Sequence, residues 1–208
     1  MKRWMIALIL LCAAPVWAGE LNVGGLIAQG QNGFRTGMGW QVDYSRAIGT
    51  SDWSWFAGVS QTTWNLQESG WSYERSCFSM SFVQEGSMTD LRPFVGARWS
   101  RPLPWGIRGQ ACVDVGWDFM DSDLSDTFMM QTCKHVSTYT NDYDMADTWT
   151  VRPGLRLTKM LAEKVGVTLD AAYTFDMDPD DITLDGRSVG IERDLSGWRL
   201  GAGLVIKL

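Results

Sequence analysis

His135-Val136-Ser137 is the one fragment of the chain with the makings of a catalytic pair. A histidine can draw the proton from a serine hydroxyl, and a carboxylate behind it holds the imidazole in the useful tautomer. Residues i and i+2 share a face of an extended strand, so His135 and Ser137 could approach each other there. Asp142, Asp144 or Asp147 could supply the acid. Three residues match little in a serine-containing chain, and the expectation is a loop or strand-end histidine without a catalytic role. Asp176-Met177-Asp178-Pro179-Asp180-Asp181 opens like a calcium loop. An EF-hand, however, needs Gly at position 6 and Glu at position 12, and those places hold Asp181 and Arg187. That run reads as a solvated acidic loop. A single histidine excludes multi-histidine metal sites, and no glycine run is arranged to cradle a phosphate. No metal and no cofactor is expected.

The elements that carry these residues follow from composition and period. The chain has 208 residues, 18 Lys+Arg against 24 Asp+Glu, and a net charge of −6. That length suits one domain, and the acidic balance argues against a nucleic-acid partner. With 12 Trp, 45% hydrophobic and only 20% charged residues, the chain is too aromatic to be disordered. Lys2 and Arg3 precede the apolar stretch Met5 to Ala14, and Val16-Trp17-Ala18 fits a small-x-small cleavage site. Residues 1–18 are therefore expected to be a signal peptide, leaving 19–208 as the mature domain. Cys12 follows Leu11 rather than a small residue, which rejects a lipoprotein signal. No later segment approaches the ~18 consecutive apolar residues of a spanning helix. Cys77, Cys112 and Cys133 remain, an odd count whose spacing leaves the pairing open.

The period is two nearly everywhere. Ile107 to Phe119, Trp149 to Leu157, Val165 to Phe175 and Trp198 to Leu208 alternate apolar with small or polar residues. Such runs are strands with one apolar and one polar face. At roughly ten residues they exceed the ~5–6 of soluble sheets and match the ~9–11 of a tilted bilayer-crossing strand. The polar face carries Asp43, Arg92, Arg98, Arg108, Asp114, Asp118, Arg152, Arg156, Asp170, Arg199 and Lys207. A soluble surface favours Lys and Glu; Arg and Asp among small residues suit a crowded interior of paired charges. The apolar face carries Trp40, Tyr44, Trp53, Trp55, Trp99, Trp117, Trp149, Tyr173 and Trp198, mostly near strand ends, as in two interfacial girdles. The apolar face thus points to lipid. A periplasmic β-sandwich with an aromatic core is the competing architecture.

Leu91-Arg92-Pro93-Phe94-Val95-Gly96-Ala97-Arg98 is similar to the Arg-Pro-Tyr-Val-Gly-Ala-Gly strand of small outer-membrane barrels, and the C-terminal strand resembles their assembly signal. Over the whole mature chain the sequence resembles the small Gram-negative outer-membrane β-barrel superfamily, which includes OmpA-like transmembrane domains and opacity-type proteins. It departs at its last residue, Leu208, where the signal usually ends in Phe or Trp. The resemblance implies an all-β, closed antiparallel up-and-down transmembrane barrel in the cell outer membrane. Its partners would be outer-membrane lipid and lipopolysaccharide, and the barrel-assembly machinery during biogenesis.

Nine strands are read near 21–29, 36–48, 53–64, 71–83, 91–101, 107–119, 149–160, 165–176 and 196–208. A tenth at 127–139 makes the even number such barrels require; eight is the alternative. Periplasmic turns are then expected at 49–52, 84–90, 120–126 and 161–164. Outer loops fall at 30–35, 65–70, 102–106, 140–148 and 177–195.

His135-Val136-Ser137 also matches the His-x-Ser of PagL-type lipid A deacylases, whose motif continues Asn-Ala where this chain has Thr138-Tyr139. Omptin proteases share a ten-stranded barrel with acidic residues and a histidine at the outer mouth, without a matching motif here. The expected function is non-enzymatic, structural or surface-interaction. The alternatives are a narrow anion-favouring channel, from seven basic against four acidic inward charges, and a lipid A hydrolase using His135 and Ser137. Unboiled protein from the outer-membrane fraction should migrate apart from boiled protein on a detergent gel. A soluble periplasmic protein with no shift would turn the apolar faces inward.

Overall fold

The structure, a computed structural model, describes residues 19–29, 35–65, 69–75, 78–133, 135–143, 147–177, 181–184, 187–192 and 196–208. The leader expected at 1–18 lies outside the described residues, as do Cys77 and Asp144. The strands are β1 (Glu20–Ala28), β2 (Gly37–Ala47), β3 (Trp53–Asn65), β4 (Ser69–Arg75), β5 (Phe78–Leu103), β6 (Ile107–Thr132), β7 (Val136–Tyr143), β8 (Thr148–Met160), β9 (Val165–Asp176), β10 (Asp181–Leu184), β11 (Arg187–Glu192) and β12 (Gly197–Lys207). The first strand, β1, pairs antiparallel with both β2 and the last strand, β12, and β5 pairs with β6, so the sheet closes on itself. Ten strands belong to that sheet. Eight of them, β1, β2, β3, β5, β6, β8, β9 and β12, form the ring, while β4 and β7 pair only with β5 and β6 beyond it. Strands β10 and β11 make a separate hairpin.

Alternation sets the faces. In β1, Asn22 is 3% exposed and its neighbour Val23 44%. Thr150, Arg152, Arg156 and Thr158 of β8 are buried, while Trp149, Leu155 and Leu157 stand outside. The ring is therefore polar within and apolar without, the arrangement that lipid demands. Closure leaves no unpaired strand edge in the ring, as a bilayer requires.

Short turns at 48–52, 104–106 and 161–164 share one end of the ring with both termini, where the Leu208 amide donates to the Gly19 carbonyl at 3.0 Å. Short turns mark the periplasmic end. Residues 102–106, expected as an outer loop, therefore belong to a periplasmic turn. Trp105 and Gly106 have φ of 63° and 70°, and the Ile107 amide donates to the Pro104 carbonyl. This is the two-residue mirror-image turn whose twist matches its strands.

The turns expected at 84–90 and 120–126 do not exist, for β5 and β6 each run unbroken over 26 residues. Gly86 invites the turn reading, but it marks a close approach of two strands. Its φ is 139°, and a Cβ there would lie 2.0 Å from the Asp123 carbonyl oxygen. It sits where β5 exchanges one partner for another: Ser87 faces Asn65 of β3, and Gln84 faces Ser69 of β4. The strand expected at 127–139 is likewise two half-strands. Thr127–Thr132 finishes β6, the chain reverses around 133–135, and Val136 pairs back onto Gln131. The β5–β6 hairpin, flanked by β4 and β7, thus projects beyond the ring on the extracellular side. Each central strand is about 85 Å long at ~3.3 Å per residue.

Gly86→Ala should leave the barrel's gel shift intact. It should loosen the projection, read as faster amide exchange and protease cleavage within 78–84 and 124–132. Unchanged protection would show that the strands absorb the extra carbon.

Candidate functional site

The ring interior is built from inward side chains of all eight strands. In ring order β1 stands opposite β6, β2 opposite β8 and β5 opposite β12. An ion pair spans each of these diameters. Arg108 of β6 donates to both Glu20 oxygens of β1, at 2.8 and 2.5 Å. Arg156 of β8 donates to Asp43 of β2 at 3.0 and 2.8 Å. Arg199 of β12 donates to Asp90 of β5 at 2.9 Å. Asp43, fully buried, also accepts from Asn22, Gln41 and Arg98, and Arg156 pairs in addition with Asp170.

The layer above is centred on Arg92, which is 0% exposed. It pairs with Asp114 at 2.6 Å and donates to Thr150 at 2.7 Å, with Asp118 at 3.7 Å. Gly116 makes the room, since a Cβ there would come within 2.4 Å of the Arg92 Nε. Arg152 reaches the same Asp114 at 3.2 Å, and both guanidiniums lie near the Phe94 ring. Towards the outside, Ala28, Trp64, Met88 and Met120 form an apolar layer over the charges. A cavity of about 50 Å³ lies among the inward groups of this region, room for one or two waters. At the periplasmic mouth a wider vestibule of about 680 Å³ is lined by Glu20, Arg108 and Lys207, among others.

Of the ten inward charges, Asp43, Arg92, Arg98, Asp114, Asp118, Arg152, Arg156 and Asp170 are joined by contacts that Gln41 bridges between Asp43 and Arg152, while Arg199 pairs with Asp90 and Arg108 with Glu20 at the periplasmic end. Lys207 does not join them; it is exposed at the vestibule. Sequence reasoning missed Glu20 and Asp90. Glu20 is the first residue of its strand, and Asp90 falls in the turn expected at 84–90. Its even spacing from Arg92 and Arg98 is the signal that places it on their face. With these two acids the interior holds six arginines and six carboxylates, so the basic surplus behind the anion-channel alternative disappears.

His135 and Ser137 are not brought together into a catalytic pair. The His135 amide and carbonyl make a tight turn with Thr132 at the far end of the projection, and Ser137 faces Met130. Among the described residues no hydrogen bond joins the two side chains. Asp147 instead accepts from the Met120 amide at 2.9 Å, and Asp142 lies five residues along β7, about 17 Å from Ser137. Cys133 is disulfide-bonded and Cys112 is a free thiol.

No family model and no curated protein matches the chain. Solved structures do. The outer membrane protein OprG from Pseudomonas aeruginosa is 12% identical over 92% of this chain and 95% of its own, with a TM-score of 0.54. A major outer membrane protein from Thermus thermophilus is 13% identical over 92% and 99%, also at 0.54. The attachment invasion locus protein Ail of Yersinia pestis matches over 91% and 98% at 13% identity and a TM-score of 0.38. At such identities the fold is what is shared: a small outer-membrane β-barrel. With its apolar exterior and ion-paired interior, the chain is an integral barrel of the outer membrane.

Asp43→Ala should lower the unfolding free energy in detergent or lipid by about 3–5 kcal/mol, because it strands the buried Arg98 guanidinium and leaves Arg156 with Asp170 alone. Asp52→Ala, which removes a partner from Arg101 in a pair 57% and 48% exposed, should cost less than about 1 kcal/mol. Equal effects in denaturant titrations would mean that the cross-lumen pairs do not hold the ring.

Proposed function

We propose that the chain is a surface-interaction barrel: a closed, rigid mount in the outer membrane that holds a four-stranded sheet out from the cell. The observation that carries this is the 26-residue length of β5 and β6. The outward face of β6 is apolar up to Phe119 and turns acidic at Asp121 and Asp123. From there to Thr132 the strand continues about 43 Å past the lipid band. Lipid contact alone needs no such extension. The filled, charge-balanced interior supports the mount rather than a pore. In this reading the lipid-facing band would sit against phospholipid in the inner leaflet and lipopolysaccharide in the outer. The assembly machinery would be met only during insertion.

The test removes the projection and keeps the ring. Cells carrying a chain without 69–84 and 124–143 should show the same barrel gel shift. They should attach less than wild-type cells to a panel of protein-coated surfaces. Undiminished attachment would leave the barrel with an envelope-structural role alone. Wild-type protein in planar bilayers should be silent; steady anion-selective conductance, lost in Arg152→Ala, would restore the channel.

A further inference from the structure

The outer wall of the ring ends differently at its two rims. Inward parity on β2, β5 and β8 is set by Asp43, Arg98 and Arg156, which meet inside the lumen. Arg46, Arg101 and Lys159 have the opposite parity and therefore stand on the lipid-facing wall. Each closes an apolar outward run at the periplasmic end. Val42 and Tyr44 precede Arg46; Val95, Ala97 and Trp99 precede Arg101; Leu155 and Leu157 precede Lys159. In ring order β3 separates β2 from β5, and β6 separates β5 from β8. The axes of the three strands are thus about 10 Å apart in turn, and the three cations cover five of the eight ring strands.

Register fixes their depth. Arg46 lies opposite Trp55, Trp53 lies opposite Trp99, and Arg101 follows two residues further along β5. Lys159 lies opposite Ile107 and Val167. The Arg101 guanidinium is 5.0 Å from the Trp99 ring centroid. Trp53, Trp55 and Trp99 are exposed on this wall, and indoles settle at the depth of the headgroups. The cations therefore stand at the headgroup level of the inner leaflet. Among the described residues neither Arg46 nor Lys159 has an ion-pair partner, and Arg101 has only Asp52, in a pair that solvent screens. At the opposite rim the same wall of β5 and β6 carries Glu85, Asp121 and Asp123. A long basic side chain on an apolar wall lays its stem along the hydrocarbon and holds its charge among the headgroups. What it meets there is a lipid phosphate. A zwitterionic lipid brings its own ammonium to compete for that phosphate; an anionic lipid does not.

We propose that Arg46, Arg101 and Lys159 hold anionic phospholipid in the inner leaflet, one phosphate to each cation, so that the barrel gathers such lipid along this part of its periplasmic rim. This adds a headgroup chemistry to the inner-leaflet lipid of the reading above and does not rest on the projecting sheet.

The test uses the full chain in phosphatidylcholine bilayers with trace amounts of phosphatidylglycerol or phosphatidylcholine spin-labelled on the acyl chain. Electron paramagnetic resonance separates lipid held at the protein wall from free lipid. At low salt phosphatidylglycerol should associate about fivefold more strongly than phosphatidylcholine, the scale of one basic residue beside an anionic headgroup. The preference should shrink as salt rises. The triple substitution Arg46→Gln, Arg101→Gln and Lys159→Gln should bring the two lipids to parity. Asp52→Ala, which frees Arg101, should raise the preference, an effect that a merely structural role for these residues would not produce. Arg75→Gln, on the projection, should leave it unchanged. The gel shift checks the ring in each variant. Equal association of the two lipids with the wild-type chain would overturn the proposal, as would a preference that survives the triple substitution. Loss of the preference to free glycerol phosphate at constant ionic strength would give these cations to a soluble phosphate instead. Failure on any of these counts leaves the attachment reading untouched, because removing 69–84 and 124–143 removes none of the three cations.

Discussion

Asp43 is the point on which the rest of the ring depends. One buried carboxylate accepts from Asn22 on β1, Gln41 on its own strand, Arg98 on β5 and Arg156 across the full diameter on β8. An eight-stranded ring encloses a space that side chains must fill, and lipid outside forbids an apolar filling exchanged for polar walls. A buried charge is tolerable only when paired and hydrogen-bonded. Arg108, Arg156 and Arg199 each reach a carboxylate on the opposite strand of the ring, and those carboxylates are within reach only if the ring is closed. Closure and pairing support each other, which makes the fold all-or-none in a way that local strand propensity does not explain.

The outside obeys a different constraint. Tyr44 packs against Trp55 near the periplasmic end, with ring centroids 5.7 Å apart. Trp117 and Trp149, at 4.7 Å, and Tyr173 and Trp198, at 5.3 Å, pair near the other end. These cross-strand aromatic pairs sit at the depths where an amphipathic ring is favoured. They join neighbouring strands on the surface as the ion pairs join opposite strands inside.

How much of this is legible in the sequence depends on which distance a signal reports. Parity reports the face: it separated Arg152 from Leu155 and Asp114 from Val115 without any partner being known. Chemistry on a face reports its surroundings, so Arg and Asp beside Gly and Thr read as an interior. Parity says nothing about which residue lies across a ring, so Arg199 with Asp90 and Arg108 with Glu20 had to await the closed topology. Gly86 shows a second limit. Glycine permits a reversal and also permits two strands to press together, and only the pairing of 87 with 65 and 84 with 69 tells which. Pro104-Trp105-Gly106 reads as a break in the sequence but falls at the wrong end of the barrel, because counting a false turn at 84–90 inverts every later connection up to the next false turn.

The unbroken course of β5 and β6 also has a mechanical meaning. Both strands run from the periplasmic turn at 104–106 through the membrane to the tip. A pull on the tip is directed along the strands, with the inter-strand hydrogen bonds lying across it. Such bonds are strained together rather than opened one by one from an end. Tension arriving at Thr132 is therefore shared along the hairpin down to Asp114 and Arg92, whose contacts spread it to β8 and the ring. In the proposed surface-interaction role the membrane span would be the anchor of a tether, and its internal charges the rivets that let one hairpin be pulled without being drawn out of the sheet.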